Sequence, residues 1–331
     1  MTLSRTSKVD INVTPFYHCI ARCVRRTFLC GIDKESGKDF SHRKTWIVDR
    51  IKKLSSIFAI KVCAYAVMNN HYHVVIYINE EEALAWTDKE VITRWESLFP
   101  LDANQIDLLT PLQIESKIGL WRSRLVDISW FMKSLNEPIA RASNLEDRCK
   151  GRFWEGRFKS QALLDLGALL SAMAYVDLNP IRAKVASTPE TSEFTSIYER
   201  IQEVSRHLKE ANQNQINTAP QPIGLIPFSN ENVNEKSPAI EFTLSDYLQL
   251  VDETGRILRK DKKGAISQHL SPILSRLQLT AKGWLEMVNH LEERFFYAIG
   301  NEHALLEFRS QYRTKPPRGI IAAKYCYWLV A

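Results

Sequence analysis

The stretch Met68-Asn69-Asn70-His71-Tyr72-His73-Val74-Val75-Ile76-Tyr77-Ile78 opens in two turn-forming asparagines and runs into a β-branched apolar segment. This is the pattern of a tight loop entering a buried strand. Side chains alternate across a strand, so His71 and His73 share one face and Tyr72 takes the other. Two imidazoles two residues apart on a rigid strand are able to converge on one metal ion or one phosphate. The same spacing also serves a hydrogen-bonded structural pair.

Working outward, Phe58 to Val67 reads as the strand that pairs with this one across the Asn69-Asn70 turn, making a β-hairpin. Before it, Ile47, Val48, Ile51 and Leu54 have helical spacing, and Phe16 to Val24 reads as a first strand. Downstream, Leu125, Ile128, Met132, Leu135 and Ile139 mark an amphipathic helix, bent or ended near Pro138. A Gly-punctuated loop from Lys150 leads into a strand ending at Leu164. Leu166, Leu169, Leu170 and Met173 then mark the buried stripe of another helix, closed by Asn179-Pro180. The order strand, helix, strand, strand, helix, strand, helix predicts an α+β fold. Its expected form is a ferredoxin-like palm with an antiparallel sheet and packed helices.

A chain of 331 residues is longer than one palm needs. The reading assigns residues 1–205 to the palm, with an acidic, Trp-containing insertion of one or two short helices at about 80–120. Residues 206–241, rich in Asn, Gln, Pro and Ser, read as a linker, and 242–331 as a helical accessory domain. In that last part Thr243 caps an expected helix ending near Gly255, and Arg256, Arg259, Lys260, Lys262 and Lys263 form a basic run. Trp284, Met287, Val288, Leu291 and Phe295 predict a second helix, and Ala304 to Tyr312 a third.

Lys and Arg number 44 against 38 Asp and Glu, a net charge of +6. That balance admits a nucleic-acid partner without requiring one. The six cysteines are scattered and form no CxxC pair, so structural zinc is not expected and free thiols in a reducing compartment are. Nothing reads as a signal peptide or a membrane span, which predicts a cytoplasmic protein with no membrane partner.

On a helical wheel Tyr175 falls opposite the Leu166/Leu169/Leu170/Met173 stripe, and Asn179 lies one turn on and on the same side. A helix presenting Tyr and Asn to a strand presenting two histidines assembles a nucleophile, two imidazoles and an amide oxygen. That set suits phosphodiester cleavage by tyrosine, with a divalent cation polarising the phosphate. Two neutral imidazoles, with Asn179 as a weak third ligand, leave coordination positions open, which suits Mg²⁺ or Mn²⁺ better than a closed zinc site. From the residues alone, two readings stand: metal-dependent phosphoryl chemistry on nucleic acid, and a binding protein with an incidental histidine pair.

Three segments, NNHYHVVI (Asn69–Ile76), GRFWEGRFKSQALL (Gly151–Leu164) and AYVDLNPIRAKV (Ala174–Val185), together resemble the single-tyrosine HUH transposases, particularly the REP-associated tyrosine transposases. The resemblance covers roughly Phe16 to Val185. It implies a ferredoxin-like palm in which His71 and His73 are the metal ligands and Tyr175 is the nucleophile, becoming linked to a 5′-phosphate while a 3′-hydroxyl leaves. Asn179 would sit where members place a polar helical residue toward the metal. The implied partner is single-stranded or hairpin DNA, bound by a monomer or homodimer that is nucleoid-associated when on DNA. Between Arg148 and Lys184 seven basic residues stand against three acidic ones. Arg152, Arg157, Lys159, Arg182 and Lys184 are therefore candidate backbone contacts, with Trp154 available to stack on bases. A non-catalytic DNA-binding regulator on the same palm, and a metal-dependent nuclease that uses water, are the alternatives.

Overall fold

The computed structural model describes residues 10–24, 29–32, 37–100, 110–211, 215–229, 238–259, 266–312 and 319–328. Its strands are β1 (Phe16–Arg22), β2 (Ile60–Val67), β3 (His71–Ile78), β4 (Lys159–Leu163) and β5 (Ala298–Ile299). Helices α1 (Arg43–Ile57), α2 (Glu80–Ala85), α3 (Asp88–Glu96), α4 (Pro111–Arg124) and α5 (Ile128–Glu146) precede β4. After β4 come α6 (Leu166–Asp177), α7 (Asn179–Arg182), α8 (Ser196–Ala211), α9 (Leu244–Arg259), α10 (Ser271–Arg276), α11 (Ala281–Arg294), α12 (Glu302–Tyr312) and α13 (Ile320–Cys326). None of the described helices is long and apolar enough to cross a membrane.

The molecule is α+β. The sheet order is β2-β3-β1-β4-β5, with each of the first four strands antiparallel to its neighbours among them and β5 parallel to β4. Read from β4, the first four run 4-1-3-2 with a helical crossover after β1 and another after β3. That is the split βαβ arrangement of the ferredoxin-like palm. The hairpin forms where the asparagines place it: Met68 N–H donates to the His71 carbonyl at 2.9 Å across Asn69-Asn70.

One face of the sheet carries Tyr17, Cys19, Tyr72, Val74 and Ile76 against α1 and α5. Tyr72 donates its hydroxyl to the Asn136 side chain at 2.6 Å, and Phe58 meets Phe131 edge-on. Helix α5 does not stop at Pro138 but runs through it. A proline deprives the carbonyl four residues earlier of its N–H partner; here that carbonyl, of Ser134, accepts from Arg50 Nε at 3.0 Å. The lost bond is replaced by a side chain from α1, so the helix continues.

The other face is covered by α6, which is buried on nearly every side. Tyr175, opposite the leucine stripe, is only half-buried, yet that side of α6 is covered too. Helix α6 is roofed by α11, whose Trp284, Met287, Val288 and Leu291 are buried, and Ser171 of α6 touches Met287. A helix apolar all round is a helix with cover on both sides, and here the cover is more than a hundred residues away in sequence.

Two aspartates, Asp165 partly buried and Asp177 fully buried, fasten the ends of α6. At its start Asp165 accepts from Ala168 N–H (2.7 Å), Asn301 N–H (2.7 Å) and the Tyr327 hydroxyl (2.9 Å). At its end Asp177 accepts from the Ser196 hydroxyl, Ile197 N–H (3.0 Å) and the Tyr247 hydroxyl (2.5 Å). Burial raises the Asp177 carboxyl to about 6, against the opposing pull of those donors. A Cβ at Gly167 would come within 2.8 Å of the Leu277 carbonyl, so glycine is what lets the C-terminal segment close on α6.

Part of the stretch read as a linker is packed against the palm. Leu225, Ile226 and Phe228 are buried, and Ile226 N–H donates to the Val62 carbonyl at 2.8 Å. This segment lies along β2 and covers an otherwise open sheet edge. Buried Arg200 of α8 fixes it, donating to the Cys63 and Ile226 carbonyls at 3.1 Å each. Between residues 80 and 124 three helices are described rather than one or two. Helix α9 runs past Gly255 to Arg259; Lys260, Lys262 and Lys263 lie outside the described residues.

Candidate active site

Cross-strand partners share a face of a sheet. In the register of β1 and β3, Ile20 faces His73 and Arg22 faces His71, and His18 pairs with Gln161 of β4. His71, His73, His18, Arg22 and Gln161 therefore lie on the face that α6 covers. The His71 and His73 rings are 4.8 Å apart between centroids and nearly perpendicular. The Tyr175 ring sits 5.7 Å from His73 and 6.0 Å from His18, edge-on to both.

The histidines are neutral. Burial first, then the charge of Arg22, brings His71 down to about 4. Complete burial, with His71 and His18 adding to it, holds His73 well below its ordinary value. His71 Nδ1 lies 2.5 Å from the Asn70 amide oxygen, an acceptor, so Nδ1 carries the proton and Nε2 keeps its lone pair. His73 Nδ1 lies 2.9 Å from His18 Nε2, and His18 Nδ1 lies 2.9 Å from Gln161 Oε1. Gln161 Nε2 donates onward to the Phe295 carbonyl at 3.1 Å. His73 Nε2 is buried with no hydrogen-bond partner among the described residues, a costly condition for a polar atom unless something else occupies it.

Tyr175 donates its hydroxyl to Glu292 Oε1 of α11 at 2.7 Å. Helical geometry is interrupted at His290 (φ −125°, ψ 24°), and the turn after that break carries Glu292. The Arg182 guanidinium lies over the Tyr175 ring at 3.6 Å and donates to the Val288 carbonyl at 2.5 Å. Burial raises the Tyr175 phenol above its ordinary range, Arg182 opposes this, and Glu292 adds to it. The phenol is thus protonated, half-buried, and held by one anion and one cation.

The sequence candidates separate into groups. His71, His73 and Tyr175 are brought together. Arg182 joins them, but by stacking on the tyrosine rather than standing clear for a phosphate. Asn179 is buried at the start of α7, and no hydrogen bond joins its side chain to either histidine among the described residues. Arg152, Arg157 and Lys184 are exposed, and so is Lys159, which the register opposite Ile20 puts on the histidine face. Trp154 is half-buried on the Tyr72 side, its indole N–H donating to the Asn136 carbonyl at 2.9 Å.

Sequence reasoning missed His18, Gln161, Arg22 and Glu292. A polar His18 and Gln161 inside otherwise apolar strands was a signal; nothing local marked Glu292. The residues present are compatible with a divalent ion, since His71 Nε2 keeps its lone pair and His73 Nε2 is buried without a hydrogen-bond partner among the described residues. Among the described residues no group of three His, Cys, Asp or Glu side chains is arranged to hold a metal, and both His18 nitrogens are already engaged.

No family model and no curated protein matches the chain. Among solved structures it is similar to a REP-associated tyrosine transposase bound to a REP hairpin, at 12% identity and a TM-score of 0.37, over 72% of this chain and 96% of that one.

Proposed function

We propose that this chain is a DNA strand transferase that cleaves single-stranded or hairpin DNA through Tyr175. The observation that carries the reading is the contact of the Tyr175 ring with His73, beside an imidazole nitrogen that is buried and unpartnered.

In this reading Glu292 is the base. The Tyr175 oxygen attacks phosphorus while its proton passes to the Glu292 carboxylate, already at hydrogen-bonding distance. The bond from phosphorus to the 3′-oxygen breaks, and that oxygen leaves as a hydroxyl after taking a proton from solvent. The 5′-phosphate stays on Tyr175, and attack by another 3′-hydroxyl reverses the step and joins a new strand. Arg182 steadies the ring and offsets the negative charge that develops on its oxygen. His71 and His73, with Asn179 as the third candidate, would hold Mg²⁺ or Mn²⁺, whose charge polarises and aligns the phosphate. Lys159, Arg152 and Arg157 would follow the DNA backbone.

The test is a denaturing gel of the full-length protein with single-stranded and hairpin oligonucleotides in Mn²⁺. A covalent adduct that disappears in Tyr175→Phe is expected. Cleavage without an adduct would point to a nuclease using water, and binding without cleavage to a regulator.

A further inference from the structure

The hydrogen-bond chain behind His73 has a direction, and its direction is set outside the sheet. The Phe295 backbone carbonyl only accepts, so the Gln161 amide must present Nε2 to it and Oε1 to His18. His18 Nδ1 must then donate, which leaves Nε2 of the neutral ring as an acceptor. His73 Nδ1 is opposite that acceptor at 2.9 Å and therefore carries the proton. Neutrality of the ring leaves His73 Nε2 with a bare lone pair, the atom that lacks any partner.

We infer that His18 and Gln161 are positioning residues that lock His73 in the Nδ1–H tautomer, with Nε2 aimed at a divalent cation. The purpose assigned to the lock rests on the reading of His71 and His73 as metal ligands. His18 is fully buried, which favours the neutral ring the relay requires and keeps water from competing for its nitrogens. The anchor is Phe295, directly after α11, the helix whose Glu292 holds the nucleophile. One C-terminal helix end thus orients both halves of the site: the tyrosine through a side chain, and the histidine through a backbone carbonyl and two intervening side chains. A group behind a metal-binding imidazole fixes the ring's tautomer and orientation.

The test needs no DNA. In full-length, metal-free protein with ¹⁵N-labelled histidine, long-range ¹H–¹⁵N correlation spectra identify which His73 nitrogen is protonated. Nδ1 is expected. In His18→Phe the proton should move to Nε2 or distribute between the two, and Mn²⁺ affinity measured by electron paramagnetic resonance should fall about 10–100-fold. His18→Gln keeps an acceptor oxygen near the lost Nε2 and should recover most of that affinity. Thermal melts of each variant separate this effect from misfolding, and the wild-type spectrum stands without any variant. Protonated Nε2 in the wild type, or unchanged Mn²⁺ affinity in a folded His18→Phe protein, would overturn the proposal. Nδ1–H in a wild-type protein that binds no Mn²⁺ would instead fell the metal reading, and with it the purpose given to the lock.

Discussion

The two halves of the candidate site are held in different ways. The histidine half lies on one strand: His71 and His73 share a face because strands alternate, and the turn that launches them immediately precedes His71. The tyrosine half is assembled across the molecule. Tyr175 sits on α6, its hydroxyl bonds Glu292 117 residues on, and its helix is fastened at each end by an aspartate reaching toward the C-terminal part of the chain. Local geometry presents the imidazoles, whereas remote packing presents the nucleophile. A palm strand alone would still display two histidines, but it would not hold a tyrosine against them.

That contrast is open to attack, starting with its largest consequence. Tyr175→Phe keeps the ring, its histidine contacts and the Arg182 stack, and removes only the hydroxyl. The adduct should vanish while DNA affinity, measured by fluorescence anisotropy, stays close to that of the wild type. Loss of affinity as large as the loss of cleavage would mean that the two halves are not separable.

Removing residues from 242 onward should damage the palm itself. Burial of Met287, Val288 and Leu291 against α6 contributes about 4.5–9 kcal/mol at about 1.5–3 kcal/mol each. That is comparable with the entire stability of about 5–15 kcal/mol expected of a domain. The truncated chain is expected to lose its cooperative melt; a sharp transition near the wild-type temperature would make the C-terminal helices a true accessory.

Glu292→Gln tests the nucleophile's partner more gently, since an amide still accepts the phenol's hydrogen bond but takes no proton. The rate of adduct formation should fall about 100-fold or more, as for loss of a general base, with the melting temperature unchanged. An undiminished rate would leave Glu292 a structural clamp.

The smallest effect concerns acid. His71 titrates at about 4 in the folded chain against 6.5 when unfolded, so between those values the unfolded chain binds more protons. This contribution to stability is complete above about pH 6.5 and is lost as pH falls toward 4. His71→Asn should flatten the decline of the melting temperature over that range by an amount on the order of a few degrees. Equal slopes in the two proteins would contradict a neutral His71.

What could be read from the amino acids follows the same division. The order of strands and helices, the β-hairpin, and the shared face of His71 and His73 rest on local periodicity and turn chemistry, which a single sequence carries. Tyr175 was legible as a candidate through its place opposite the leucine stripe, but nothing local showed that this side of the helix would be covered. A wheel shows that a helix has two sides, not that α11 will cover the second. Strand β5 is two residues long and has no periodicity to detect. Leu225, Ile226 and Phe228 lie among Pro222, Gly224 and Pro227, where the punctuation of a loop hides a packed edge. Pro138 misled because the donor replacing its missing N–H, Arg50, belongs to another helix. His18 and Gln161 were visible as polar residues in apolar strands, yet their partnership depends on the register of β1 with β3 and β4.

The chemistry of one oxygen, that of Tyr175, decides between strand transfer and the alternatives. Full-length protein is incubated in Mn²⁺ with hairpin and single-stranded DNA matching the flanks of its own coding sequence, then digested and sequenced by mass spectrometry. The expected product is a peptide in which Tyr175 carries a nucleotide through a 5′-phosphate, formed as the matching 3′-hydroxyl fragment is released. DNA cut with Tyr175 unmodified, or an adduct on another side chain, would contradict it.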